Sequence, residues 1–261
     1  MHPTLAATFL CTRCGTYGCP GCIFSSVARK EICRACATQG LGEAVPWERR
    51  KLLGRWRAFW ATTRLASREP TRFFRTPATE EGIMGPVLYG IAAYTFGQFV
   101  YAVILVSAMV VVGLAAAIAT KEPEVGAMIA GYSVCWAVLV VPLTLLQAPI
   151  YGLMGILLGG GLSHVTLSLG KKTAATFEDT LRAVSFANAP YFYYFIPCVG
   201  PLVAWVWMLV IETIAIREVH RVGTGRAMFA VLAYRSLFLF GILTLYAMLA
   251  AFVYYAGQAQ H

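Results

Sequence analysis

The stretch that decides the fold is Gly82–Thr120, GIMGPVLYGIAAYTFGQFVYAVILVSAMVVVGLAAAIAT, in which no residue carries a charge. One bilayer crossing needs roughly 20 apolar residues, so this run can hold a span and a further apolar helix before it. We place the span near 97–119 and expect residues 83–96 to form a helix at the membrane interface. The charged segment Lys121–Glu124 then ends the span.

Three further apolar stretches follow in the second half of the chain. The first, Val125–Gly170, is long enough for two crossings joined by a tight turn around Gln147–Gly152. The other two, Ala183–Ile216 and Ala227–Tyr255, are each long enough for one crossing. The predicted spans lie near 97–119, 126–146, 150–169, 191–216 and 229–255.

Composition and charge support a membrane protein and give its orientation. The chain is 59% hydrophobic and 13% charged, whereas soluble proteins have about 45–50% apolar and about 25% charged residues. This excludes an ordinary water-soluble domain. Most of the net charge of +9 lies before residue 83, and positively charged flanks remain on the cytoplasmic side of a membrane. The N-terminal segment is therefore expected in the cytoplasm.

The first forty residues contain six cysteines arranged as three CxxC pairs. These are Cys11/Cys14, Cys19/Cys22 and Cys33/Cys36. Two residues between thiols let both sulfurs reach one tetrahedral ion, and two such pairs complete a four-sulfur zinc site. The cytoplasm is reducing, which favours metal binding over disulfides. Iron–sulfur binding and redox-active dithiols remain alternatives. Residues 1–40 are too few to bury a core of their own, so a structural metal is expected.

The linker, residues 41–82, carries a basic helical pattern over residues 46–68. Trp47, Trp56 and Trp60 fall near helical spacing, while arginines occupy much of the remaining surface. One interpretation is an amphipathic helix that lies on an anionic lipid leaflet. The other is a helix whose aromatic face packs on the protein's own cytoplasmic segments. Both interpretations bury the same aromatic face, so the sequence leaves them open.

Glu212 and His164 are the ionisable side chains well inside predicted spans, and such residues are functional candidates because burying them is costly. The ordinary explanations are that Glu212 pairs with Arg217 or extends its side chain outward to the interface, and that His164 hydrogen-bonds to a neighbouring helix. Cys135 and Cys198 also lie in predicted spans and are expected to be small packing residues. No nucleophile–base pair, HExxH motif or carboxylate pair has a persuasive context, so the chain is not expected to be an enzyme.

Several short motifs resemble the Yip family of multi-span membrane proteins, in its bacterial branch, over about residues 68–232. They are FFRTP (Phe73–Pro77), GPVLYG (Gly85–Gly90), FEDTLRAVSFANAP (Phe177–Pro190), IPCVG (Ile196–Gly200), REVHR (Arg217–Arg221) and GTGRA (Gly223–Ala227). The resemblance implies five membrane helices and a cytoplasmic N-terminus, in a bacterium at the inner membrane. Eukaryotic members act in vesicle trafficking and contact Rab-type GTPases. Residues 1–40 of this chain form a cysteine-rich segment, here called the head, in place of the family's flexible tail. The resemblance therefore does not extend to GTPase binding.

The head itself resembles B-box-like or zinc-ribbon fingers, in which CxxC pairs alternate between two metal sites. That resemblance implies that Cys11 and Cys14 share one ion with Cys33 and Cys36. Cys19 and Cys22 would join a preceding pair of ligands, but only His2 stands where that pair should be. One complete zinc site is therefore expected.

The sequence as a whole predicts an all-α integral membrane protein of about five transmembrane helices with a small N-terminal zinc-binding module. Residues 1–40 form the module, 41–82 the linker and 83–257 the Yip-like membrane domain. The expected role is a non-enzymatic scaffold or adaptor in membrane organisation or trafficking, with the lipid bilayer and a protein bound to the head as partners. A homo-oligomer is left open and no nucleic acid is expected. The alternative is a transporter or channel that uses Glu212 and His164.

Overall fold

The computed structural model describes the chain in seven segments separated by short gaps. These are residues 6–11, 14–27, 30–36, 45–75, 82–120, 123–169 and 175–258. Within them, helix predominates and strands occur only in the head. The all-α class predicted from the sequence therefore fits the part of the chain that follows the head.

The head consists of two antiparallel hairpins. β1 (Phe9–Leu10) pairs with β2 (Tyr17–Gly18), β3 (Ile23–Val27) pairs with β4 (Lys30–Cys33), a 3-10 turn spans Pro20–Cys22, and α1 (Arg34–Cys36) follows β4. In the first hairpin Phe9 lies opposite Gly18. A Cβ atom added at Gly18 would come within 2.5 Å of the Phe9 ring, so a larger residue there would displace the ring from the strand.

The linker is helical but is broken into short pieces. A 3-10 turn over Pro46–Arg49 leads into α2 (Arg50–Leu53), and α3 (Arg55–Arg68) and α4 (Pro70–Phe74) follow. Gly54 separates α2 from α3 with a φ of 81°, a conformation that suits glycine and interrupts helix. The single basic helix suggested by the 46–68 pattern is thus two helices with a bend between them.

Three long helices dominate the rest of the chain. They are α5 (Met84–Thr120), α6 (Pro123–Ser168) and α9 (Thr224–Gln258). Segments of all three, Met84–Ala119, Glu124–Ser168 and Thr224–Met248, are long and apolar enough to cross a membrane. At 1.5 Å per residue α5 is about 55 Å long and α6 about 70 Å, well beyond the roughly 30 Å of a hydrocarbon core. Three such helices support a membrane protein without confirming five crossings.

The tight turn expected around Gln147–Gly152 is absent, because α6 continues through this region as one helix of 46 residues. Pro142 and Pro149 both lie inside it. Proline removes one helical hydrogen bond, and neighbouring helices can compensate for that loss. Here α6 packs closely on α5: a Cβ atom at Gly152 would lie 3.3 Å from the Tyr94 side chain. The spans predicted at 126–146 and 150–169 therefore belong to one helix.

The segment between α6 and α9 begins with α7 (Phe177–Ala187). Thr176 caps it and forms a capping box with Asp179, as the Thr-x-x-Asp spacing predicts. A 3-10 helix over Ala189–Phe195 follows, and α8 (Gly200–His220) leads through a short turn to α9. The region predicted as one span at 191–216 is thus divided between the 3-10 helix and α8.

The main core lies where the linker meets α5, α7 and α8. Its largest members are aromatic: Trp47, Phe59, Phe73, Tyr89 and Phe186 are all buried. Tyr89 of α5 contacts Trp47, Phe59 and Phe186 with ring centroids 5.2–5.7 Å apart. This aromatic cluster fixes the linker against the first half of α5 and against α7.

The outer halves of the long helices expose apolar side chains instead. On α5 and α6 these include Val111, Val112, Leu114, Leu139 and Leu146, each more than 60% exposed. α5 and α6 pack on one another here through small residues, since a Cβ at Gly126 would lie 2.7 Å from that of Ala117. Such a surface suits hydrocarbon and not water.

Candidate metal centre and buried polar clusters

The head brings three of the predicted metal ligands together. The Sγ atoms of Cys11, Cys14 and Cys33 all lie within 4.8 Å of one another, and those of Cys14 and Cys33 are 3.7 Å apart. Zinc binds thiolate sulfur at about 2.3 Å, so two sulfurs of a tetrahedral site are about 3.8 Å apart. The separation of Cys14 and Cys33 matches that edge, and the three-sulfur cluster could hold a metal ion.

Short backbone hydrogen bonds shape the turn that carries the first two ligands. Cys11 follows β1, and its N–H donates to the Thr16 carbonyl at 2.9 Å, while the Gly15 N–H donates to the Cys11 carbonyl at 2.9 Å. Gly15, which directly follows the CxxC pair, has a φ of 72°, and this lets the chain reverse between Cys14 and β2. The turn therefore directs both thiols to one point.

The third ligand comes from the second hairpin. Cys33 is the last residue of β4, and its backbone N–H donates to the Cys11 Sγ at 3.4 Å. Hydrogen bonds to a ligand atom orient it and stabilise its negative charge. A hydrogen bond with the Thr16 hydroxyl, supported by the Thr16 backbone, lowers the pKa of the Cys14 thiol to about 6. The thiolate form that metal binding requires is thus favoured at neutral pH.

The remaining predicted ligands fall into two groups. The Sγ atoms of Cys19 and Cys22 are 3.3 Å apart across a tight turn in which the Cys22 N–H donates to the Cys19 carbonyl at 2.8 Å. This second pair could also hold a metal ion. The side chain of Cys36 and the whole of His2 lie outside the described residues, so the fourth ligand of the first site and the partner of the second pair are untested.

The two cysteines of the apolar region do not pack inside the protein. Cys135 lies on α6 and Cys198 lies in the turn before α8, and both are exposed. The expectation that they are small packing residues is wrong, because both side chains are exposed. Neither belongs to the three-sulfur cluster.

Glu212 is buried in a polar cluster between α8 and α9. Its carboxylate accepts a hydrogen bond from Arg235 Nη2 at 2.6 Å and from the Tyr234 hydroxyl at 2.8 Å. The expected partner, Arg217, pairs instead with Glu218 at 2.8 Å. Residues five apart on a helix do not share a face, whereas α9 packs along α8 and presents two consecutive polar side chains to the carboxylate.

His164 lies in a second polar cluster that links three helices. Thr180 Oγ1 of α7 is 2.8 Å from His164 Nδ1 of α6 and 2.8 Å from His220 Nε2 of α8. The prediction that His164 hydrogen-bonds to a neighbouring helix is confirmed. Sequence reasoning missed Thr180 and His220, since neither stands in an unusual pattern. Burial, with a smaller effect from His164, lowers the pKa of His220 to about 4.

A buried ion pair ties the linker to α7. Arg182 Nη2 is 2.6 Å from Glu48 Oε1, and the Glu48 side chain is almost fully buried. Burial lowers the pKa of Arg182, although the charges of Glu48 and Asp179 oppose this effect. The sequence offered one signal for this pair, which is an acidic residue beside Trp47 in a strongly basic segment.

Together, the fold and the cysteine cluster define a mostly helical protein whose described segments include three helices suited to cross a membrane and an N-terminal site suited to a metal ion. Comparison with protein families, curated proteins and solved structures found no match to the chain.

Proposed function

We propose that this chain is an integral membrane protein of the Yip-like class that acts as a non-enzymatic scaffold or adaptor in membrane organisation or trafficking. One observation carries the proposal: a three-sulfur cluster stands at the end of a chain whose long helices expose apolar side chains. A protein partner would dock on the head while the helices hold it at the bilayer. The cytoplasmic side is favoured by the basic residues that precede α5.

Zinc would give the head its shape. In the described part of the head, the buried hydrophobic cluster contains only Phe9 and Cys11, with Cys22 and Cys33 packed against them. A module of about forty residues rarely folds on a hydrophobic core alone and usually needs a metal or disulfides. Cys11, Cys14 and Cys33 would hold the ion, and Cys36 is the proposed fourth ligand. The metal would supply folding free energy and no reaction chemistry.

The proposal is tested by comparing two matched double variants of the full chain in detergent. Cys11→Ser/Cys14→Ser removes two ligands of the cluster, whereas Cys135→Ser/Cys198→Ser removes two exposed thiols outside it. We expect about one zinc equivalent in the wild type and the control, and at least a tenfold loss in the head variant. Two equivalents in the wild type would show that Cys19 and Cys22 hold a second ion.

The same variants test the adaptor role. After crosslinking in cells, we expect at least one protein to be recovered with the wild type and the Cys135→Ser/Cys198→Ser control but lost from the head variant. If the head variant recovered every crosslinked protein, the head would not be needed for binding any of these partners. A wild-type head free of zinc would contradict the structural role of the metal independently of any partner.

A transporter or channel remains the second hypothesis, but no specific observation favours it. It depended on Glu212 and His164 being available to a solute and on a break in the helix around 150–169. Glu212 is instead held by Arg235 and Tyr234, and His164 by Thr180. The helix is continuous there.

A further inference from the structure

The linker helices expose two kinds of side chain that rarely occur together on a protein surface exposed only to water. Leu52 and Trp56 are 80% and 64% exposed, and Leu53 is 41% exposed. The same helices expose Arg49, Lys51, Arg55, Arg57, Arg64 and Arg68. Between positions 49 and 68 there is no acidic residue. Large apolar groups within a purely cationic surface are typical of segments that bind a lipid interface.

The cations of α3 are ordered on one face. Arg57, Arg64 and Arg68 are spaced by seven and four residues, so they share the outward side of the helix. The opposite side is buried against the core through Phe59 and Thr63. Within the described segments, none of these three arginines forms an ion pair with a carboxylate. Their charges are therefore available to an external anion.

The apolar part of this surface adjoins a membrane helix. The rings of Trp56 and Trp60 lie 6.4 and 5.5 Å from that of Phe96 on α5, and they contact each other at 5.5 Å. Before Phe96, the exposed large apolar side chains of α5 are Met84 and Leu88, whereas beyond it a long series runs from Val103 to Ile118. Tryptophan is enriched at the boundary between hydrocarbon and headgroups. The linker surface thus lies beside the point where α5 would enter the bilayer.

We propose that the basic aromatic surface, formed by Leu52, Leu53, Trp56, Arg57, Arg64 and Arg68, binds the headgroups of anionic phospholipids in the bilayer that holds the chain. The inference rests on the membrane placement in the proposed function. Its occupant follows from charge complementarity and from continuity with α5. Leu52, Leu53 and Trp56 insert among the acyl chains near the interface, while the arginines contact phosphate groups. In this proposal the buried aromatic face of the linker packs on protein, and a neighbouring face contacts lipid.

The test uses the full chain in nanodiscs with tryptophan fluorescence as the readout. Brominated lipids quench nearby tryptophans, and the difference between wild type and Trp56→Phe isolates the emission of Trp56. The discs contain phosphatidylcholine and phosphatidylglycerol, with bromine on one or the other at equal mole fraction. Each cation near an anionic surface is expected to strengthen binding to that surface about fivefold, so anionic lipid should be enriched around the arginines. We therefore expect brominated phosphatidylglycerol to quench Trp56 at least about threefold more than brominated phosphatidylcholine.

Two charge-matched variants distinguish lipid binding by this surface from electrostatic attraction between the whole basic protein and anionic lipid. Arg57→Gln/Arg64→Gln removes two cations of the surface, whereas Arg72→Gln/Arg75→Gln removes two that are paired with Glu69 and Glu218. The preference for phosphatidylglycerol should disappear in the first variant and persist in the second. High salt should reduce it in the wild type, because exposed charges are screened.

Equal quenching of Trp56 by the two lipids would overturn the proposal, since it would show apolar contact without headgroup recognition. Absence of quenching by either lipid would also overturn it and would indicate that protein covers the surface. Neither result bears on zinc content or on proteins crosslinked to the head, so failure here is distinguishable from failure of the proposed function.

Discussion

Glu212 and Arg235 illustrate how single polar residues are accommodated in a largely apolar chain. Each would be costly to bury alone, but the Glu212 carboxylate accepts hydrogen bonds from Arg235 Nη2 and from the Tyr234 hydroxyl, which leaves only the Arg235 Nε of this cluster without a partner among the described residues. The pair lies between consecutive helices, so it also fixes how α9 packs on α8. A structural role therefore accounts for a side chain that sequence reasoning treated as a functional candidate.

The Thr180 cluster leads to a prediction about pH. The folded state lowers the pKa of His220 to about 4, below the ordinary value of about 6.5. The folded protein thus favours neutral His220, and this stabilisation is complete above about pH 6.5 and is lost as the pH falls toward 4. We expect up to about 3 kcal/mol of destabilisation over that interval.

Thermal unfolding in detergent at pH 7 and pH 5 measures this effect. His220→Gln keeps a polar group near Thr180 but does not titrate, so its unfolding temperature should fall less than that of the wild type. Titrating groups distant from His220 are the same in both proteins and cancel in the comparison. An equal fall in unfolding temperature between pH 7 and pH 5 for the two proteins would show that folding does not change the pKa of His220.

At the scale of elements, close contacts through glycine determine which helices can pack together. A Cβ atom at Gly97 of α5 would lie 2.6 Å from the Tyr191 carbonyl oxygen of the following 3-10 helix. The neighbour is backbone, so it cannot move away cheaply. Gly161 of α6 has nothing within 4 Å of the corresponding position. The two glycines therefore serve different purposes although both lie in long apolar helices.

This difference gives a matched pair of substitutions. Gly97→Ala should destabilise the protein by about 1–3 kcal/mol, because the 3-10 helix must shift to admit the methyl group. Gly161→Ala should be neutral or stabilising by up to about 1 kcal/mol, because alanine has the higher helix propensity. The unfolding temperatures of the purified variants check both values. A destabilised Gly161→Ala together with an unaffected Gly97→Ala would contradict the packing described for α5.

At the scale of the whole molecule, the chain combines a buried aromatic core with outer helix segments that expose leucine and valine. We expect the full chain to remain in the membrane fraction after an alkaline carbonate wash, since the α5–α6 hairpin alone presents enough apolar surface to be retained in lipid.

An N-terminal tag should be digested by protease in inside-out vesicles but protected in intact spheroplasts. Release by carbonate would contradict membrane insertion, and digestion in spheroplasts would contradict the cytoplasmic head.

Much of this architecture could be predicted from local sequence. The uncharged runs indicated helices long enough to cross a membrane, because apolar length is a property of the segment alone. The CxxC spacing indicated a shared metal site, and three of its sulfurs do converge. The Thr176–Asp179 capping box was also predictable, because its hydrogen bonds form within one turn.

Features that depend on contacts between distant segments were decided only by the tertiary structure. Pro149 suggested a turn, yet packing along α5 keeps α6 continuous. Arg217 was the nearest cation to Glu212 along the chain, but α9 placed Arg235 on its carboxylate. Thr180 gained two histidine partners from helices before and after its own. Composition and spacing determine whether a segment forms a membrane-length helix or a metal-binding turn. The partner of each buried polar group depends instead on which helices pack together, because a buried polar group needs a hydrogen-bond partner and takes the one that packing brings to it, not the one nearest in sequence.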